Sequence, residues 1–142
     1  MVEYYEQGRQ VSKSMVTTNY VISELVALLT TRQQASRNLL FQCVDSIRHA
    51  PFIDLIHINE QTDSEAWNLC KDRPDKAWSL VDASSFVVMQ QLNIKTALTT
   101  DRHFEQAGFI RLLKWGLPMI IRHGHIGSSY LILIPKEPCY LF

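Results

Sequence analysis

The sequence predicts an α/β fold, in which the strands of a parallel sheet alternate with helices. First, β-prone runs and longer runs of helical periodicity follow in the order β-α-α-β-α-(β)-α-β-α-β, as expected of parallel strands joined by crossover helices. Second, 46% of the 142 residues are hydrophobic and 20% are charged, which suits one domain with an ordinary core. Third, Asp82 and Asp101 each follow a strand-like run and open a helix, so both should lie at one edge of the sheet.

The charge and cysteine content argue against several classes of protein. There are 14 basic and 14 acidic side chains, so any nucleic acid would need a local basic patch rather than a global field. Cys43, Cys70 and Cys139 are far apart and form no CxxC pair, which argues against a disulfide framework or a zinc site. No leader opens the chain and no apolar run approaches membrane-spanning length, so we expect a cytoplasmic protein with no membrane partner.

The first half of the chain predicts a strand followed by two helices. The run SMVTT, residues 14–18, is β-prone, and Asn19 is a plausible N-cap for the helix YVISELVALLTTR. Glu24 falls at the margin of the apolar face of this helix, one turn from its start. A carboxylate there is either directed into a site or left half-solvated. A second helix is predicted over residues 33–49 and ends before Pro51.

The middle of the chain predicts another strand and another helix before the acidic stretch. PFIDLIHIN, residues 51–59, alternates well enough for a strand, and residues 61–71 form a helical pattern. The tryptophans Trp67, Trp78 and Trp115 are predicted to be core residues rather than platforms for stacked bases.

The stretch from Trp78 to Phe109 contains the chemistry. Asp82 follows the strand-like SLV, and Asp101 follows the β-prone TALTT and opens the helix RHFEQAG. If two different strands bring these carboxylates to one edge of the sheet, they could share a divalent cation, which prefers oxygen ligands. Each aspartate could instead be only an N-cap, a role that this residue fills very commonly.

Two blocks of the sequence resemble the PIN-domain nucleases, specifically their VapC-like branch. They are TTNYVISELVALL and DKAWSLVDASSFVVMQQLNIKTALTTDRHFEQAGF, and the resemblance covers roughly residues 15–113. It implies a three-layer α/β/α sandwich with a parallel central sheet and an acidic pocket at the strand ends. It also implies a metal-dependent ribonuclease that hydrolyses RNA phosphodiester bonds, with Mg²⁺ or Mn²⁺ as cofactor. Proteins of this branch are commonly dimeric toxins neutralised by a small antitoxin.

The resemblance assigns roles to particular residues. Glu24, Asp82 and Asp101 match the second, third and fourth acids of the family pattern, which implies that they are catalytic residues and metal ligands. Four basic side chains near these acids could contact RNA phosphate, or they could be solvated surface charges: Arg73, Lys76, Arg102 and His103. The Ser84 hydroxyl could orient the substrate, or it could serve only the start of the helix.

The chain departs from the family pattern at both ends. No strand of the form apolar-apolar-Asp-Thr/Ser precedes Ser14, so we expect a PIN-like domain at 1–113 without its first strand and first acid. Residues 114–142 are expected to be an atypical extension, in which YLILI, residues 130–134, could fill the vacant strand position or be unselected sequence. The alternative function is therefore a catalytically inactive remnant that acts at most as a binding module.

Overall fold

The computed structural model describes residues 15–31 and 35–113 and the backbone of residues 134–135. The predictions for the first fourteen residues, for Trp115 and for residues 130–133 fall outside these ranges. Within them, no helix is long and apolar enough to cross a bilayer.

Strands and helices alternate along the described chain much as the sequence predicts. The helices are α1 (Asn19–Thr31), α2 (Arg37–His49), α3 (Glu60–Asp72), α4 (Leu80–Gln91) and α5 (Arg102–Gln106), and the strands are β1 (Met15–Thr18), β2 (Ile53–Ile56), β3 (Thr96–Ala97), β4 (Ile110–Arg111) and β5 (Ile134–Pro135).

The strands form two small sheets with mainly parallel pairing. β1 pairs in parallel with β2, from Met15 opposite Ile53 onward, and β3 pairs in parallel with β4. These pairs and the surrounding helices confirm the α/β prediction. β5 adds an antiparallel pair, with Ile134 opposite Val16. Ile134 therefore lies in the same sheet as β1 and β2, in the order β2-β1-β5.

The main core lies between α4, α5 and the strands. Phe86 and Phe104 are fully buried, and their rings meet edge to face with centroids 4.9 Å apart. Trp78 packs edge to face on Phe86 at 5.1 Å, as expected for a core tryptophan. Val21 of α1 joins the same cluster. This cluster fixes the position of α4 relative to α5, and the two aspartates lie at the starts of these helices.

The prediction that Trp67 is a core residue is wrong. Its surface is 56% exposed, whereas the preceding Ala66 is fully buried. Ala66 packs with Ala83 and Val87 of α4. Because each residue turns a helix by roughly 100°, the side chain after Ala66 leaves this interface and faces solvent.

The cap of α1 also differs from the prediction. Thr18, not Asn19, accepts a hydrogen bond from the backbone N–H of Val21, with an N–O distance of 3.2 Å. The side-chain oxygen of Asn19 instead accepts from the backbone N–H of Ile58 at 2.7 Å. Asn19 thereby ties the start of α1 to the segment that follows β2.

Candidate metal centre

Asp82 is held in place by the start of α4. Ser79 is the N-cap: its hydroxyl accepts from the Asp82 backbone N–H at 3.0 Å, and Asp82 Oδ2 accepts from the Ser79 backbone N–H at 3.0 Å. This reciprocal pair is a capping box, which satisfies two helix-start donors at once. The predicted strand at residues 79–81 is therefore wrong, because Leu80 and Val81 already belong to α4. Asp82 is the third residue of the helix and is only 6% exposed.

Asp101 is held in place by the start of α5. It is the N-cap of this helix, and its Oδ1 accepts from the backbone N–H of His103 at 2.9 Å. The fully buried Thr99 accepts from the Asp101 backbone N–H at 3.1 Å. The prediction that Asp101 opens a short helix is confirmed. Its role as an N-cap does not exclude Asp101 from a metal site, because its carboxylate also lies close to the imidazole ring of His103.

His103 connects the two carboxylates. Its Nδ1 lies 3.0 Å from Asp82 Oδ2 and 3.4 Å from Asp101 Oδ1. One ligand atom from each of the three residues lies within 4.8 Å of the others. The side chains of Asp82 and Asp101 are 9% and 18% exposed, and that of His103 is 30% exposed. The cluster is thus mostly shielded by protein but open to solvent on one side.

The donor set of this cluster fits a divalent cation. Carboxylate oxygens suit Mg²⁺ and Mn²⁺, and an imidazole nitrogen suits the transition metals. The two acids come from different helices, 19 residues apart in sequence, and their partial burial limits competition from water. The residues present could therefore hold a cation of the kind that the family resemblance implies.

The structure does not place Glu24 in this cluster. Glu24 is half-buried on α1, and the described group within 4.8 Å contains only Asp82, Asp101 and His103. α1 nevertheless contacts α4, and Val21, one turn before Glu24, packs in the same core cluster as Phe86. The role of Glu24 as a ligand remains a prediction.

The predicted substrate contacts have different surroundings. Arg102 is exposed and directly follows Asp101. Lys76 Nζ lies 3.7 Å from Asp75 Oδ2. Ser84 is fully buried, and its hydroxyl donates to the carbonyl of Val81 at 2.8 Å, which favours the helix-start interpretation. All three assignments remain predictions.

The charge of Asp82 affects the Cys70 thiol, and a separate ion pair, Arg73–Asp75, lies in the segment before α4. Burial raises the pKa of the Cys70 thiol, and the nearby Asp82 charge adds to that rise. Arg73 lies over the Trp78 ring, 5.3 Å from its centroid, and also makes two hydrogen bonds to Asp75 at 2.9 and 3.0 Å. These hydrogen bonds lower the pKa of Asp75 to about 2.

Sequence reasoning missed the way His103 joins the two acids. It proposed His103 only as a phosphate contact. The hydrogen bond from the His103 N–H to Asp101 could be predicted from the sequence, because an aspartate N-cap accepts from a backbone N–H two or three residues later. The contact with Asp82 is tertiary, 21 residues away, and no local pattern indicates it.

Known proteins resemble this chain in both sequence and fold. Over 98 residues it is 28% identical to the "23S rRNA-specific endonuclease VapC20" of Mycobacterium tuberculosis strains CDC 1551 and H37Rv. This match covers 69% of the chain and 72% of the relative. No family model matches the chain.

The fold comparison finds the same relative. The crystal structure of Mycobacterium tuberculosis VapC20, described as a "Sarcin-Ricin loop cleaving toxin", superposes with a TM-score of 0.61 at 27% identity. The superposition covers 68% of this chain and 72% of that one. Together with the motifs around Asp82 and Asp101, these matches support the resemblance to VapC-like nucleases, and they show that the α/β fold of this chain is similar to that of VapC20.

Proposed function

We propose that this chain is a metal-dependent ribonuclease of the VapC type, which hydrolyses RNA phosphodiester bonds. The observation that carries the proposal is the convergence of Asp82 and Asp101, from the starts of two helices, on one partly buried cluster. The chain has this cluster within a fold similar to that of an RNA-cleaving toxin.

The cluster suits metal-assisted hydrolysis because its carboxylates are already oriented. The Ser79 N–H fixes Asp82, and the His103 N–H fixes Asp101, so neither side chain must be ordered when a cation binds. A bound Mg²⁺ or Mn²⁺ would offset charge on the phosphate and make a water molecule acidic enough to attack. Like charges this close repel, so the carboxylates are expected to favour a cation between them.

We include Glu24 as a further ligand on the basis of the family pattern. It lies half-buried on α1, which contacts the Asp82 helix. If this assignment holds, Glu24→Gln lowers the rate of RNA cleavage, whereas the exposed Glu60→Gln at the start of α3 does not.

The substrate is proposed to approach along the exposed side of the cluster. Arg102 is the best supported phosphate contact, because it is exposed and adjacent to Asp101. Lys76 lies in the segment before α4, and its Nζ is 3.7 Å from the exposed carboxylate of Asp75. Ser84 is the least supported, since its hydroxyl is buried and already donates to a carbonyl.

We further propose that the chain has two protein partners, an antitoxin and a second copy of itself. VapC20 is described as a toxin, and a toxin of this type in the cytoplasm would require an antitoxin that blocks the acidic cluster. We also propose a homodimer, as the resemblance implies. Size-exclusion chromatography with light scattering tests the dimer, and co-purification with a neighbouring small gene product tests the antitoxin.

RNA cleavage tests the enzymatic proposal. Purified protein is incubated with end-labelled single-stranded RNA in Mn²⁺, in Mg²⁺ and in excess chelator. We expect cleavage with either cation, none with chelator, and a loss of about a hundredfold or more for Asp82→Asn or Asp101→Asn. Asp45→Asn, an exposed acid on α2, is the matched control and should cleave like wild type.

The same assay decides the alternative function. If the wild-type protein cleaves no faster than Asp82→Asn/Asp101→Asn under all three conditions, the chain is an inactive remnant. Any role would then be that of a binding module.

A further inference from the structure

We infer that His103 is a ligand of the cation, through Nδ1, so that the site holds two oxygens and one nitrogen and prefers Mn²⁺ to Mg²⁺. The inference rests on the cation site of the proposed function. It goes beyond that proposal in adding a nitrogen donor, which an all-acid site lacks, and in predicting which cation binds more tightly.

The interatomic distances match those of a shared ligand sphere. Two ligands at neighbouring positions about 2.1 Å from a cation lie about 3 Å from each other. Nδ1 of His103 lies 3.0 Å from Asp82 Oδ2 and 3.4 Å from Asp101 Oδ1. One nitrogen thus faces an oxygen of each acid at separations that fit neighbouring ligands of one cation.

The backbone restricts where His103 can be. It is the second residue of α5, and its own N–H is hydrogen-bonded to Asp101 Oδ1. On the other side, α5 is anchored by the fully buried Phe104, which packs on Phe86 of α4. The imidazole is therefore positioned between the acids by the helix start and the core, not only by its hydrogen bond to Asp82.

The donor type predicts the preferred cation. Mg²⁺ takes oxygen ligands and sheds its water reluctantly. Imidazole is a better ligand for transition metals, and Mn²⁺ accepts both oxygen and nitrogen. A site with Asp82, Asp101 and His103 should therefore bind Mn²⁺ more tightly than Mg²⁺, and removing the nitrogen should narrow that difference.

Pulsed electron paramagnetic resonance of bound Mn²⁺ tests this assignment directly. A coordinated imidazole nitrogen modulates the electron spin echo, and an all-oxygen site does not. We expect nitrogen modulation in the wild-type protein that is lost in His103→Gln and kept in His57→Gln, an exposed histidine after β2. Wild-type Mn²⁺ bound without nitrogen modulation, or with modulation that survives His103→Gln, would overturn the inference.

Calorimetric titration provides an independent readout that needs no substrate. His103→Gln should weaken Mn²⁺ binding by about tenfold or more and Mg²⁺ binding by less. His57→Gln should leave the affinity for both cations unchanged. An equal loss of affinity for Mn²⁺ and Mg²⁺ in His103→Gln would contradict the predicted preference. If the wild-type protein binds neither cation, the proposed cation site fails together with this inference. If the wild-type protein binds Mn²⁺ but shows no coordinated nitrogen, the cation site stands and only the assignment of His103 as a ligand fails.

Discussion

Asp82 combines a structural role with a proposed chemical one in a single side chain. Its Oδ2 accepts from the Ser79 N–H in the capping box, and the same atom is the one nearest to His103 Nδ1. The helix start thus sets the orientation that a cation would use. Because a mutation here changes both roles, Asp82 variants must be compared in stability as well as in activity.

The thiol of Cys70 reports on the charge of Asp82. Burial and then the Asp82 charge raise its pKa, since a nearby negative charge disfavours the thiolate. Asp82→Asn should lower the pKa of Cys70, and Mn²⁺ binding should lower it in the wild-type protein. The measurement is the pH dependence of alkylation in a Cys43→Ser/Cys139→Ser background. A Cys70 pKa that is the same with and without the Asp82 charge would mean that burial alone causes the shift.

The Arg73–Asp75 pair predicts a local pH dependence beside the candidate RNA contact Lys76. Hydrogen bonds from Arg73 lower the pKa of Asp75 from 3.8 to about 2. A carboxyl with a lowered pKa stabilises the fold above its unfolded pKa of 3.8, and that contribution is lost as the pH falls through about 2. Both side chains are exposed, so the effect on stability is small.

Side-chain NMR titration measures this pKa in the folded protein. Arg73→Gln should return the Asp75 midpoint toward 3.8, whereas Arg48→Gln on α2 should leave it unchanged. An Asp75 midpoint already near the ordinary value in the wild-type protein would contradict the pairing.

At the scale of elements, the short helix α5 depends on its cap. Asp101 caps it at one end, and Gly108, with φ of 91°, allows the backbone to turn toward β4 at the other. A helix of five residues is too short to be stable alone. Its position therefore depends on its cap and on the burial of Phe104.

Asp101 offers a substitution that separates capping from charge. Serine caps a helix about as well as aspartate, and alanine does not. Asp101→Ala should lower the free energy of unfolding by about 1 kcal/mol, whereas Asp101→Ser should be nearly as stable as the wild-type protein. Both variants should lose cation binding. Urea unfolding with Mn²⁺ titration checks this. Tight Mn²⁺ binding by Asp101→Ser would show that the carboxylate is not a ligand.

The aromatic packing between α4 and α5 holds the two acid-bearing helices together. Phe86→Ala should lower the free energy of unfolding by about 3–5 kcal/mol, because it removes a fully buried ring and leaves a cavity. Phe41→Ala on α2, where the ring is 48% exposed, should cost about 1 kcal/mol or less. Equal losses for these two variants in urea unfolding would contradict the assignment of the core.

For the whole molecule, sequence patterns predicted the long elements better than their boundaries. Periodicity indicated the first four helices, and the family resemblance indicated the VapC-like fold. The start of α4 was missed because SLV is β-prone, although Ser79 followed by Asp82 three residues later is itself a capping-box pattern. Trp67 was wrongly predicted to be buried, because the face of α3 that becomes buried is set by its packing on α4. That tertiary contact cannot be seen in the local sequence.

The candidate site could be predicted only in part for the same reason. Asp82 and Asp101 were found because each belongs to a recognisable local motif. The position of His103 between them depends on how α5 packs on α4, and the position of Glu24 depends on how α1 packs there. Neither position is contained in a local pattern. The structure therefore adds His103 to the candidate cluster, and the role of Glu24 as a ligand stays a prediction.

The central claim is that the carboxylates of Asp82 and Asp101 form a cation site that cleaves RNA. The most direct test is the Mn²⁺-dependent rate of RNA cleavage by Asp101→Ser beside the wild-type protein, with unfolding curves measured on the same samples. We predict nearly equal stability, cleavage by the wild-type protein, and a rate for Asp101→Ser that is at least about a hundredfold lower. Equal cleavage rates for two equally folded proteins would contradict the claim.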